Sequence, residues 1–62
     1  MMNKPYVVTV MKKYQDGNGT WWDKKCYRYS TPQDMIYWAG YLEYAANAEY
    51  KHGKIIDFEI SY

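Results

Sequence analysis

The sequence is poor in the residues that stabilise very small proteins covalently or through a metal. Among its 62 residues there is one cysteine, Cys26, and one histidine, His52. A lone cysteine cannot form an intramolecular disulfide, and the carboxylates do not combine with His52 or Cys26 at metal-ligand spacing. A chain of this length buries only about 60% of its unfolded surface. Its stability must therefore come from packing or from association with another chain.

Long apolar runs are also missing. No segment approaches the roughly 18 apolar residues that span a bilayer, and no basic-then-apolar leader opens the sequence. A single free thiol is typical of a reducing compartment. We therefore expect a cytoplasmic protein that does not associate with membranes.

Catalytic signatures are lacking as well. Cys26 lies in a predicted strand without a histidine near it in the sequence, which favours a packed thiol over a nucleophile. His52 lies at the end of a predicted helix, where a cation offsets the helix dipole. The segment "DGNG" lies between two predicted strands, whereas a phosphate-binding loop joins a strand to a helix. We expect no enzyme activity, no cofactor and no metal.

Aromatic residues and an uneven charge are what the sequence does contain. Trp, Tyr and Phe make up 21% of the chain, and each Trp or Tyr can bury roughly 150–250 Å². Residues 1–29 carry six Lys or Arg against two Asp, a charge of +4, whereas residues 30–62 carry two Lys against five acids, a charge of −3. This asymmetry is typical of a nucleic-acid face, or of two halves that attract each other.

Hydrophobic patterning predicts the element order ββαβ. The segments "PYVVTVMKKY" and "TWWDKKCYRY" are rich in β-branched and aromatic residues, and "QDGNG" between them suits a turn, which predicts a hairpin over residues 5–29. Thr31 as N-cap, Pro32 and Asp34 predict a helix start, and Gly53 predicts its end, giving a helix over residues 32–52. The alternation in "KIIDFEISY" predicts a third strand over residues 54–62.

Residues 1–62 are therefore expected to form one α+β domain, a three-stranded antiparallel sheet of order 2-1-3 with one long helix packed on one face. Val8 and Val10 are expected beneath the helix, beside Ile56, Phe58 and Ile60. The sheet face away from the helix is called the outer face. With an even hairpin loop its members are Val7, Thr9, Met11, Lys13, Trp22, Lys24, Cys26, Arg28, Asp57 and Glu59. An odd loop would reverse the second strand, and the register stays open.

The predicted helix has two aromatic or apolar stripes. At about 100° per residue one stripe, predicted to face the sheet, gathers Met35, Trp38, Leu42 and Ala46. Tyr37, Tyr41 and Tyr44 form a second stripe that points away from the sheet. Exposed tyrosines combine a large rigid body with a polar tip and are enriched at interfaces. The sequence predicts partner binding through Tyr37, Tyr41 and Tyr44, with Trp21 or Trp22; the alternative is that Tyr41 shields a small core and the others are incidental.

The basic hairpin gives a second functional hypothesis. Its cations interleave with aromatic residues, as on surfaces that bind single-stranded nucleic acid; they are Lys12, Lys13, Lys24, Lys25 and Arg28. The isoelectric point of about 7.8 is below the value above 9 that marks dedicated binders, and the lysines can instead protect sheet edges from aggregation. A third hypothesis is a structural homodimer or assembly component built on the outer face, in which the basic second strand meets the acidic third strand of another copy.

In size, in composition and in the segments "IYWAGYLEY" and "TWWDKKCYRY", the chain resembles small phage-encoded inhibitor proteins, including anti-defence proteins that block bacterial immune systems. This resemblance implies stoichiometric binding to a host protein in the bacterial cytoplasm, without catalysis, and a homodimer as the favoured oligomer. The first hypothesis is therefore a protein-binding inhibitor or regulator.

Overall fold

The four predicted elements all occur in the computed structural model, which describes residues 4–62. They are β1 (Tyr6–Asp16), β2 (Gly19–Tyr29), α1 (Pro32–Lys51) and β3 (Asp57–Ser61). The strands form one sheet in the order β2-β1-β3, and both neighbouring pairs are antiparallel. The predicted α+β fold with strand order 2-1-3 is therefore confirmed. Residues 1–3 of the predicted domain lie outside the described part.

The hairpin between β1 and β2 closes with a two-residue loop. Asp16 pairs with Gly19, which leaves Gly17 and Asn18 between them. The Asp16 carboxylate Oδ1 accepts a hydrogen bond from the Asn18 amide at 2.7 Å, and Gly19 has a φ of 135° that favours glycine. An even loop fixes the face of every β2 residue. The β2 residues on the outer face are Trp22, Lys24, Cys26 and Arg28, opposite Lys13, Met11, Thr9 and Val7.

Both ends of α1 are capped by the residues that the sequence indicates. The Thr31 hydroxyl Oγ1 accepts a hydrogen bond from the Asp34 amide at 3.1 Å, and Pro32 opens the helix. At the other end Gly53 takes a φ of 75°. Its amide donates to the Tyr50 carbonyl at 3.1 Å and the Lys54 amide donates to the Glu49 carbonyl at 2.9 Å. This pair of bonds is the Schellman motif, for which glycine is the favoured residue.

The core lies between α1 and the central strand and contains few large side chains. Among residues 4–62 the buried apolar residues are Val8, Val10, Ala39, Ala46 and Ile55. The two that α1 supplies are alanines, so the helix backbone comes close to the sheet. A ring of half-buried side chains surrounds Val8, Val10 and Ala39; its members are Tyr27, Tyr29, Met35, Leu42 and Ile60.

Two core predictions are wrong. Trp38 was predicted to face the sheet, but it is 41% exposed. It lies about 90° around the helix from Ala39 and Ala46, and a helix that approaches the sheet through alanines leaves no space for an indole beneath it. Ile56 was predicted under the helix and is 40% exposed, whereas Ile55 is 1% exposed. Strict alternation starts with β3 at Asp57, because residues 54–56 are still turning from the helix cap into the strand.

The hairpin is longer than the elements that cover it. β3 pairs only with the Thr9–Lys13 part of β1, and the last turns of α1 reach the level of Lys12, which Glu49 contacts. The tip of the hairpin therefore projects beyond both elements. The molecule measures 44 × 21 × 14 Å as a result.

The two adjacent isoleucines provide a matched test of this core. Replacing Ile55 by Val removes a buried methylene and should lower the free energy of unfolding by about 1 kcal/mol. The same change at Ile56 should cost no more than a few tenths of a kcal/mol, because Ile56 lies outside the core and is 40% exposed. Urea unfolding followed by circular dichroism measures both. Equal losses in the two variants would show that Ile55 is not the buried residue.

Candidate functional site

A row of four exposed aromatic side chains runs along the side of α1. They are Tyr37, Trp38, Tyr41 and Tyr44, with exposures of 70%, 41%, 58% and 76%, and together they are called the helix aromatic stripe. The centroid of the Trp38 ring lies 5.3 Å from that of Tyr37, with an angle of 90° between the ring planes. The corresponding values for Trp38 and Tyr41 are 5.6 Å and 84°. Both are edge-to-face contacts, the geometry that aromatic quadrupoles favour.

The stripe follows from helical spacing. Tyr37 and Tyr41 are four residues apart and so lie one above the other on the helix surface, with Trp38 held between their rings. Trp38 therefore packs edge-to-face against two neighbours within the stripe and is still 41% exposed. Sequence reasoning assigned Trp38 to the core and missed it as a stripe residue. A helical wheel centred on Ala39 and Ala46 would have found it, since these small residues mark the closest approach to the sheet.

The helix surface beside the stripe is open to solvent at Gly40. Gly40 lies in mid-helix beside Tyr37 and Tyr44, and a Cβ atom built there would meet nothing within 4 Å. No internal contact of the described chain requires glycine at this position, although glycine costs about 1 kcal/mol relative to alanine in a helix. Ile36, which is 60% exposed, adds apolar surface on the same border.

The structure divides the five predicted nucleic-acid-binding cations between the two sheet faces. Lys13, Lys24 and Arg28 lie on the outer face with Trp22, whereas Lys12 and Lys25 lie on the face that carries α1. The Lys13 ammonium Nζ is 5.7 Å from the centroid of the Trp22 ring, within the range of a cation–π contact. The cations therefore do not form one continuous surface.

The two hairpin tryptophans are also separated from each other. Trp21 is on the helix side of the sheet and stacks on Tyr14, with ring centroids 5.7 Å apart and planes at 18°, whereas Trp22 is on the outer face. Trp21 pairs with Tyr14, beyond the level at which α1 ends. The structure therefore does not bring either tryptophan next to the helix aromatic stripe.

A shallow groove lies on the helix side of the hairpin, next to the end of α1. Its cavity volume is only about 20 Å³, and it is lined by Val10, Lys12, Tyr14, Asp23, Lys25 and Tyr27. This is below the roughly 300–1,000 Å³ typical of small-molecule pockets. The groove has room for about one water molecule.

One ion pair ties α1 to the sheet. The Lys12 ammonium Nζ donates to the Glu49 carboxylate Oε1 at 2.7 Å, and the two side chains are 25% and 31% exposed. This hydrogen bond, helped by the charge of Glu49 and opposed by partial burial, raises the pKa of Lys12. Lys12 is therefore committed to an ion pair with α1. Burial also raises the pKa of Tyr29, close to the start of α1.

These two shifts predict a loss of stability at alkaline pH. The folded-state pKa of Lys12 lies above its ordinary value of 10.5, so the pair stabilises the fold fully below pH 10.5 and the contribution disappears as the pH rises through the folded-state pKa. The raised pKa of Tyr29 acts in the same direction above its ordinary value of 10.0. Urea unfolding between roughly pH 9 and 11.5 should show the free energy of unfolding falling.

Glu49→Gln isolates the contribution of the ion pair. At neutral pH it should cost about 0.5 kcal/mol and should reduce the alkaline loss, leaving the part due to Tyr29. Glu43→Gln, the same change at an exposed position of α1, should alter neither. An alkaline profile of Glu49→Gln identical to that of the wild type would refute the assignment.

Comparison with known proteins gives no family for this chain: no protein-family model, no curated protein and no solved structure matches it. Within residues 4–62 no helix is long and apolar enough to cross a membrane, and no group of three or more His, Cys, Asp or Glu side chains is placed to hold a metal ion. The function must therefore be inferred from the chemistry of the surfaces.

Proposed function

We propose that this protein is a small non-enzymatic inhibitor or regulator that binds another protein through the helix aromatic stripe. The observation that carries the proposal is the row Tyr37, Trp38 and Tyr41, whose rings pack against one another while all three remain exposed. Side chains this exposed contribute little to the core. They are instead placed to bury a large apolar area when a partner covers them.

The order already present in the stripe favours binding. An interface pays roughly 0.5–1.5 kcal/mol for each flexible side chain that it immobilises. Trp38 is held by two edge-to-face contacts before any partner arrives, so less of this cost remains for it. Tryptophan and tyrosine are also the residues most often found as binding hot spots.

The stripe also indicates the form of the partner surface. Tyr37, Tyr41 and Tyr44 follow the i, i+4, i+7 spacing of helices that dock into a groove. Each tyrosine carries a hydroxyl at its tip, so the groove should be apolar along its floor and should offer hydrogen-bond partners at its walls. The open backbone at Gly40 lets one wall come close to the helix.

Such binding would inhibit a host protein stoichiometrically, because each bound molecule would cover a functional surface of one target. The resemblance to phage-encoded anti-defence proteins supports a bacterial protein as the target and the bacterial cytoplasm as the location. Neither a cofactor nor a metal is needed for this mode of action.

The test replaces the three tyrosines at once. Tyr37→Ser/Tyr41→Ser/Tyr44→Ser should remain folded by circular dichroism, with only the small loss of stability expected from removing the two ring contacts with Trp38, because these side chains are exposed. Tagged wild-type protein is used to capture the partner from bacterial lysate, and the purified pair is titrated by calorimetry. Each true anchor is worth about 2 kcal/mol, or about 30-fold in Kd, so the triple variant should lose measurable binding.

Tyr62→Ser is the matched control, because Tyr62 is 67% exposed and follows β3 rather than lying on the helix. It should bind as the wild type does, with one partner molecule per chain. A triple variant that retains the affinity of the wild type would eliminate the proposal.

A second candidate function is the binding of single-stranded nucleic acid on the outer face. The observation in its favour is that Lys13, Lys24 and Arg28 share that face with Trp22, whose indole offers a surface on which a base can stack. Asp57 and Glu59 lie on the same face, which weakens its attraction for phosphates and places this candidate second.

This candidate predicts affinity that falls steeply with salt. A fluorescein-labelled oligothymidine should bind at roughly 20 mM salt and lose at least tenfold in affinity by roughly 200 mM. Lys24→Ala/Arg28→Ala should weaken binding, whereas Lys51→Ala/Lys54→Ala, with the same loss of charge elsewhere, should not. Constant fluorescence anisotropy at low salt would rule out this function.

A further inference from the structure

We propose that the outer face of the sheet binds the same face of a second copy of this chain, about a two-fold axis that runs along β1. α1 lies on the opposite side of the sheet, and no element of residues 4–62 covers the outer face. Its central strand presents Val7, Thr9 and Met11, each half-buried within the single chain. This strand offers an apolar strip that a second layer can bury.

Charge is arranged in rows across this face. β2 supplies the cations Lys24 and Arg28 on one side of the central strip, and β3 supplies the anions Asp57 and Glu59 on the other. Lys24 and Glu59 stand at the same level, because both pair with Met11 of β1. The face is therefore positive along one side, uncharged in the middle from Val7 to Met11, and negative along the other.

This pattern selects one symmetry. A two-fold axis along β1 places β2 of each copy over β3 of the other. Because this rotation does not change positions along β1, residues that pair with the same β1 residue meet across the interface. Lys24 then faces Glu59 of the second copy, twice, and Met11 meets its own counterpart on the axis. An axis across the strands would instead place the β2 cations over the β2 cations. Opposite charges meet only in the first arrangement, which matches the aligned packing of β-sandwiches.

Lys13 also lies near this axis, where it approaches its counterpart. Its ammonium lies toward Trp22 of β2. Because Trp22 and Asp57 both pair with Lys13, the two-fold axis would place Asp57 of the second copy over Trp22, on the side of each Lys13 ammonium. The local charge on the axis is therefore balanced, and Lys13 does not oppose the arrangement.

Pairing through the sheet edge is disfavoured by the same charges. The free edge of β2 carries Lys24, Lys25 and Arg28 against one acid, Asp23, so an antiparallel two-fold pair of β2 strands would bring two segments of net positive charge together. Lysines on an exposed edge are a common protection against such pairing. The outer face therefore fits a second copy better than the β2 edge does.

The size of the face sets the strength of the dimer. Strands about 4.8 Å apart, two of them about 36 Å long, would bury on the order of 1,000 Å² in total, at the low end for a specific interface. The dimer should therefore be a weak one that forms in the micromolar range. The dimer would have four layers in the order helix, sheet, sheet and helix. Both helix aromatic stripes would stay accessible. The proposed dimer is therefore independent of the function of the stripes.

Sedimentation equilibrium between roughly 10 and 500 µM tests the proposal. The wild type should pass from its monomer mass of 7.5 kDa toward twice that mass as concentration rises. Lys24→Glu and Glu59→Lys should each raise the dimer Kd about tenfold, because each turns two attractive pairs into repulsive ones. An equimolar mixture of these two variants should recover wild-type affinity as a heterodimer, since both pairs are then opposite in charge again.

Lys25→Glu is the matched control: it reverses a charge at the next position of β2, on the face that carries α1. It should leave the Kd within about twofold, and circular dichroism should show all variants folded. A wild type that remains monomeric at the highest concentration overturns the proposal. So does a dimer that Lys25→Glu weakens as much as Lys24→Glu, or one that the mixed variants fail to restore.

Discussion

The close approach of α1 to the central strand is the constraint on which the rest of this structure depends. Ala39 and Ala46 are the fully buried residues of the helix, and Ala39 packs with Val8 and Val10. Small side chains at the contact let the helix and sheet pack tightly but leave little volume between them. Large residues of α1 must therefore lie at the flanks or outside, which is why the helix is rich in exposed aromatics.

The contacts around the alanines hold the helix in place from both sides. Toward β2, Tyr27 and Tyr29 pack against the core. Toward β3, Tyr50 meets Phe58 with ring centroids 6.1 Å apart, and the Lys12–Glu49 pair fixes the last turns over β1. The helix aromatic stripe is thus carried by an element that is anchored along its length, and a partner would meet a surface whose shape is already set.

The fold leaves two surfaces uncovered, and they lie on opposite sides of the molecule. One is the helix aromatic stripe, and the other is the outer face of the sheet, with its rows of opposite charge. A single sheet with one helix cannot cover both of its own faces, so a chain of this size exposes surface that larger proteins bury. If both surfaces are used, a dimer would present two helices to its targets at once. A target with two binding sites would then be bound with higher overall affinity, because the two helices are held in one dimer.

The sequence by itself determined the local elements. Thr31, Pro32 and Gly53 mark the helix ends through backbone chemistry that acts within a few residues, and alternation in β1 places Val8 and Val10 in the core. The strand order also followed, because the apolar centre of β1 suits the middle of a sheet. The tyrosines of the helix aromatic stripe were predicted as exposed from helical spacing alone.

The tertiary structure decided which side chains are buried where burial depends on the distance between helix and sheet. Trp38 and Ile56 have sequence patterns compatible with burial, but the spacing between helix and sheet excludes an indole, and the turn after Gly53 places Ile55 inward instead. The hairpin register, which sends the cations to two faces, depended on whether the loop held an even number of residues. Periodicity indicates which residues share a side of an element, whereas only packing shows how much room that side has.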